Sequence, residues 1–256
     1  MQRLHLFEWE DFPWCPASIR DGCTDYLRFM LNLGDSYAPV VPKLTEALKQ
    51  SNATAIVDLC AGGGGPWPRL LPALRTAGME SSVTLTDRYP NPASAAALPD
   101  VTYYPESVDA LAVPATLPGF RTLFSSFHHF TPAAGKALIQ SAVEAGQPIG
   151  IFEATQRSPL CLLMMLPTPI VAILATPFIR PFRLSRLLLT YVLPLIPLMI
   201  LWDGVVSCFR TYTPEELKGL AESIPGSDHY TWESGLAKGA SPLPVTYLIG
   251  LPKGIS

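Results

Sequence analysis

Four consecutive glycines, Gly62 to Gly65, separate a short apolar run from a stretch of helical character, and no other feature restricts the fold as strongly. Glycine accepts positive φ and lets another group come close to the backbone. The chain must therefore turn sharply at this point, and the helix that follows offers free N–H groups to a ligand. From residue 55 onward, β-branched and apolar runs alternate with turn-rich and helical stretches, the texture of a parallel α/β sheet. The pattern predicts strands at 55–59, 83–87, 101–104, 122–126, 148–153, 229–233 and 245–250, with helices at 66–77 and 132–145. Before the sheet, residues 1–50 form a helical cap with helices at 17–33 and 39–49, where apolar residues recur three and four apart. Thr213, Pro214 and Glu216 mark another helix start by a capping box.

A nicotinamide-binding turn would need Gly-x-Gly-x-x-Gly. Starting at Gly62 the last position is Trp67, and starting at Gly63 it is Pro68, so that fingerprint fails. Val57, Asp58, Leu59, Cys60, Ala61, Gly62, Gly63 and Gly64 instead resemble motif I of the class I S-adenosylmethionine-dependent methyltransferases. One departure is Cys60, which stands where that family usually has its first glycine; its backbone must keep φ negative or tolerate strain. Asp87 closes the next predicted strand, where a carboxylate can accept both hydroxyls of a ribose.

The resemblance implies a Rossmann-like, seven-stranded methyltransferase sheet with helices on both faces and the last strand antiparallel. This α/β fold would carry the N-terminal cap and an apolar helical insertion. It implies S-adenosyl-L-methionine as cofactor, held by Asp58, Cys60, Ala61, Gly62, Gly63 and Gly64, by Asp87 and Arg88, by Ser107 and Asp109 after the third strand, and by Ser125 after the fourth. In the segment from Phe124 to Phe130, His128 and His129 are candidate general bases, with Glu153 as a substrate-orienting or backbone-satisfying carboxylate. Adjacent side chains diverge on a strand, so only one of the two histidines should face the site. Arg20, Asp25 and Tyr26 of the cap are candidate substrate contacts or, equally, surface and packing residues. The implied reaction is transfer of the sulfonium methyl group to an O, N, S or C nucleophile.

Charged residues make up 15% of the chain and apolar ones 48%, so apolar surface exceeds what an ordinary soluble domain must bury. Much of it lies in residues 160–202, whose charges are Arg180, Arg183 and Arg186 alone. Two apolar arms, 160–179 and 187–202, flank this basic tip, but Pro167, Pro169, Pro177, Pro194 and Pro197 break them as membrane spans. Three readings follow: an interfacial hairpin with its arginines at lipid phosphates, a lid or homodimer face, and a transmembrane hairpin. All three favour a lipophilic or membrane-delivered acceptor. A net charge of −3 gives nucleic acid no electrostatic footing. Five cysteines without a Cys-x-x-Cys pair suggest free thiols and no metal site. Acidic residues appear before any apolar run of signal-peptide length, which places the protein in the cytoplasm or peripheral to the inner face of the membrane. We expect one domain, divided into cap (1–50), cofactor-binding core (55–157), insertion (158–204) and the remainder of the sheet (205–256). The competing reading is a catalytically inactive scaffold of the same fold, attached to a membrane or partner through residues 160–202.

Overall fold

The computed structural model of the chain describes residues 1–95, 98 and 100–254. Seven strands form one sheet: β1 (Ala55–Asp58), β2 (Ser82–Leu85), β3 (Thr102–Tyr103), β4 (Phe120–Phe124), β5 (Ile149–Glu153), β6 (Tyr230–Ala237) and β7 (Val245–Pro252). Their order is β3-β2-β1-β4-β5-β7-β6, and β7 runs antiparallel to both neighbours while β1 to β5 pair in parallel. The helices are α1 (Ala17–Leu33), α2 (Val41–Gln50), α3 (Trp67–Thr76), α4 (Pro92–Ala95), α5 (Pro132–Glu144), α6 (Pro159–Met165), α7 (Thr168–Ala175), α8 (Leu184–Tyr191), α9 (Leu195–Arg210) and α10 (Pro214–Glu222).

The alternation of side chains along each strand builds two cores, one per face of the sheet. Ile56, Phe120 and Phe152 pack with Leu44 and Leu48 of α2 and Leu70 and Leu74 of α3. Val57, Leu123 and Ile151 point the other way, against Leu138 and Ile139 of α5 and Leu217 of α10. Both faces are thus covered, and every side chain of β4 and β5 is buried. This is why these strands read as continuous apolar runs rather than as alternating ones. β4 spans 120–124, not 122–126, because Ser125 leaves the strand at φ +47°.

A third core joins the cap to the insertion: Cys23 and Tyr26 of α1 pack with Ala172 of α7 and Ile196, Met199 and Ile200 of α9. The insertion is therefore a bent helical layer bound to α1 rather than a two-armed hairpin, and its last helix runs on to Arg210. Among the described residues no single helix is long and apolar enough to cross a membrane; the two candidate pairs are bent by 41° and 79°.

The basic tip is also placed differently from the sequence-based expectation. Arg183 Nε and Arg186 NH1 each lie 2.8 Å from Asp25 Oδ2, and Arg186 is 1% exposed. Arg28 stands 3.8 Å from Asp25, whose other oxygen accepts a 2.6 Å hydrogen bond from Ser94. Two of the three arginines thus face inward, paired with Asp25 and, for Arg183, with Asp21 at 3.2 Å, and are not offered to lipid phosphates. What the layer does expose is apolar: Leu163, Leu166, Ile170, Leu174, Phe178 and Val192 are all more than half exposed.

Candidate functional site

β1 delivers Asp58 to the start of the glycine turn, but its carboxylate points into the protein. Oδ2 accepts from Trp67 Nε1 at 2.8 Å and Oδ1 from the Thr122 hydroxyl at 2.7 Å, and the residue is 1% exposed. Burial pushes its carboxyl up to about 7 despite these two donors. Asp58 therefore ties β1 to β4 and α3, and touches no open space. Cys60 adopts φ +56°, so the turn accepts left-handed strain at a cysteine where glycine would cost nothing. The absent side chain of Gly63 makes room for α1: a Cβ there would lie 2.8 Å from the Thr24 carbonyl oxygen. The cap thus covers part of the turn that the sequence reading left open to a ligand.

Asp87, just past β2, keeps the position expected of it. Its Oδ2 accepts from Gly62 N–H at 2.8 Å and its Oδ1 from Tyr89 N–H at 2.7 Å, so each oxygen retains acceptor capacity. The loop after β3 folds back onto it, with Val108 N–H bonded to the Asp87 carbonyl. Ser107 and Asp109 are exposed; the Ser107 hydroxyl donates to the Arg88 carbonyl and Asp109 Oδ1 caps Leu111 N–H. Arg88 itself is exposed. Ser125 shares a 2.6 Å hydrogen bond with the Tyr37 hydroxyl and accepts from Ala154 N–H.

Because β4 ends at Phe124, residues Phe127–His129 form one 3-10 turn, and the two histidines do not diverge. Their rings stack with centroids 4.5 Å apart. His128 is 3% exposed and its Nδ1 lies 2.6 Å from Glu153 Oε2; Glu153 is fully buried and also accepts from the N–H groups of Phe127 and His128. Glu153 is thus the anchor of the turn. His129 Nδ1 sits 2.8 Å from Asp11 Oδ1 and 3.4 Å from Glu8 Oε2. Burial opposes charge on this ring, but the two carboxylates outweigh it and raise His129 to about 9. With Nδ1 engaged by these carboxylates, Nε2 is the ring nitrogen of His129 left to act as a general base.

The cap residues separate in the same way. Asp25 is the buried hub of the arginine cluster, and Tyr26 is a packed core residue at 4% exposure, its hydroxyl raised to about 12 by burial. Only Arg20 reaches toward the strand ends, with its guanidinium 3.8 Å above the Tyr89 ring and bonded to the Phe12 carbonyl.

Cys60, Asp87, Glu10 and His129 share one property. Each retains part of its surface open to solvent. Yet burial pushes the Cys60 thiol and the Asp87 carboxyl up, and burial reinforced by Asp203 lifts Glu10 to about 8. Cys60, Asp87 and His129 follow the carboxyl ends of β1, β2 and β4, where open α/β sheets place their ligands. The N-terminal segment reaches His129 through Glu8 and Asp11, which also pair with Arg210. The sequence reading missed this segment. Its one signal was the density of acidic and aromatic residues between Phe7 and Trp14.

No family model and no curated protein matches the chain. Solved structures do. The plantazolicin methyltransferase BamL, in complex with a triazolic desmethylPZN analogue and SAH, superposes with a TM-score of 0.51 at 12% identity, covering 92% of this chain and 96% of that one. The fold is that of the class I methyltransferases. The methyltransferase domain of bacterial CtHen1-CN gives 0.49 at 12% identity, over 84% of this chain and 99% of that one. Human N-acetylserotonin methyltransferase with SAM gives 0.47 at 14% identity over 88% of this chain, which spans 55% of that enzyme. The seven strands and the antiparallel β7 agree with what the family resemblance implied.

Proposed function

We propose that the protein transfers a methyl group from S-adenosylmethionine to a small lipophilic acceptor. The observation that carries this reading is Asp87: a partly exposed carboxylate with spare acceptor capacity, held by the glycine turn just past the carboxyl end of β2. In this reading Asp87 takes the ribose hydroxyls, the backbone from Cys60 to Gly62 flanks the amino-acid moiety, and the loop carrying Ser107 and Asp109 borders the adenine. Bound there, S-adenosylmethionine supplies an electrophilic methyl group on sulfur. The chain's own contribution is to align the acceptor with that group and to exclude water. Asp58, Trp67 and Thr122 hold the turn rigid, while α1 closes over it.

The aromatic rim formed by the N-terminal segment supports an apolar acceptor. Phe12 and Trp14 stack at 5.0 Å, Phe7 packs on Trp202 at 5.1 Å, and Trp14 is 63% exposed. This aromatic rim leads onto the exposed apolar face of the insertion through Trp202. Such a face is suited to peripheral contact with a cytoplasmic membrane surface or with a second copy, either of which would deliver or shield a greasy substrate. Incubation with methyl-labelled S-adenosylmethionine and a panel of lipophilic alcohols, phenols and acids tests the proposal. Label is expected in the organic phase. Cofactor binding without transfer to any acceptor would instead favour the scaffold reading.

A further inference from the structure

We propose a divalent transition-metal site formed by Glu8, His128 and His129, independent of whether the methyl-transfer reading holds. The three side chains come from two places far apart in sequence, and one ligand atom from each lies within 4.8 Å of the other two. Glu8 Oε1 is 3.9 Å from His128 Nε2, and Glu8 Oε2 is 3.4 Å from His129 Nδ1. Two ligands on a tetrahedral ion with bonds of about 2.0–2.1 Å stand roughly 3.3 Å apart, so small rotations would bring the set to coordination distance.

The state of His128 is the second, independent observation. Its side chain is 4% exposed. Glu153 Oε2 engages its Nδ1 at 2.6 Å and fixes the ring, leaving Nε2 on the opposite edge. Among the described residues that nitrogen has no hydrogen-bond partner, and Glu8 Oε1 lies 3.9 Å from it. A carboxylate that orients a histidine through its far nitrogen is the usual support of a metal-bound imidazole.

Glu8 and Asp11 are held at the rings by Arg210, at 3.1 Å and 2.7 Å respectively. Two imidazoles and a carboxylate select a borderline ion of the zinc, cobalt or iron(II) class over magnesium or calcium. With three protein ligands, the ion keeps an open position beside the strand ends, where it could bind and polarise an oxygen of the acceptor.

The test uses the full chain, treated with chelator and titrated with cobalt(II) in the absence of any cofactor, followed by visible d–d absorption. Saturation at one equivalent is expected, with at least tenfold weaker binding in both Glu8→Gln and His129→Asn. Cys161 and Cys208, whose sulfurs are 3.1 Å apart, form the competing thiol site, so Cys161→Ser should leave the titration unchanged. Circular dichroism melting establishes that each variant is folded. If Glu8→Gln is not, His129→Asn decides alone, since its side chain is 26% exposed. Absence of saturable binding, binding indifferent to these replacements, or binding lost in Cys161→Ser would each overturn the site. Failure of methyl transfer would not touch it, because the readout is the metal alone.

Discussion

Replacing Gly63 with alanine would force the cap off the turn. Gly63 does not need positive φ; what it needs is space. A Cβ there would lie 2.8 Å from the Thr24 carbonyl oxygen, 2.9 Å from its carbon and 3.3 Å from Asp25 N. All three are backbone atoms of α1, so no rotamer change can relieve the contact, and the buried Asp25–Arg186 pair anchors that part of the helix. Restoring ordinary contact distance requires α1 to retreat by about 0.5–1 Å. Overpacking of this kind costs roughly 1–3 kcal/mol. Loss of glycine's freedom in the unfolded chain returns about 0.4–1 kcal/mol. We therefore expect a net loss of about 1–2 kcal/mol, or a fall in Tm of roughly 2–8 °C for a chain of this size, together with weaker binding of S-adenosylhomocysteine as the turn shifts. Urea unfolding read by circular dichroism measures the first and calorimetry the second. Gly219→Ala is the control: it lies within α10 with open space at its Cβ and should be neutral or stabilising by up to about 1 kcal/mol. If Gly63→Ala were as stable as Gly219→Ala, α1 would not be packed on the turn and the description of the cap would be wrong.

Other consequences follow from the same contacts. Asp25→Asn strips the shared counter-charge from Arg183 and from Arg186, which is 1% exposed, and should cost about 3–5 kcal/mol in urea melts; Arg186→Met on that background should recover part of it, and strict additivity would refute the coupling. Asp58 titrates near 7 in the folded chain against 3.8 ordinarily, so its burial weighs on stability only when it is ionised. The cost is absent below about pH 4, grows as pH rises toward 7, and reaches roughly 4 kcal/mol above that. Asp58→Asn should therefore flatten the decline in stability between pH 5 and pH 8, and a pH-independent difference from the wild type would contradict the assignment. On the insertion, Leu163→Glu with Leu174→Glu changes two exposed side chains and should move Tm little, while abolishing cosedimentation with lipid vesicles; retention of vesicle binding would remove this face from the proposed membrane contact.

The frame of the fold was legible because its signals are local. β1, β4, β5 and β7 show as apolar runs, whereas β3 and β6 carry polar residues, and α1 begins and ends at the residues its periodicity indicates. The capping box of Thr213 and Glu216 forms as expected. The antiparallel β7 came only from family resemblance, since strand direction depends on connections that no local pattern records. At the site, the placement of Asp87 beside the glycine turn was legible from the order of strand, turn and strand. Asp58 was not, because its inward direction depends on Trp67 and Thr122, donors 9 and 64 residues away. The histidines were misjudged for a related reason: a shift of two residues in the end of β4 replaces diverging strand side chains with a stacked 3-10 pair. Asp25 and the inward arginines show the limit most plainly. Arg183 and Arg186 look like a solvated tip in sequence, and only the packing of α1 against α8 and α9 brings a buried carboxylate to meet them.

The central claim is that the site beside Asp87 holds an adenosyl-sulfonium cofactor, and calorimetric titration with S-adenosylhomocysteine tests it most directly. The account predicts saturable binding at one site, at least tenfold weaker in Asp87→Asn, with no comparable affinity for NAD. No heat of binding, tighter binding of NAD, or an affinity that Asp87→Asn leaves unaltered would contradict it.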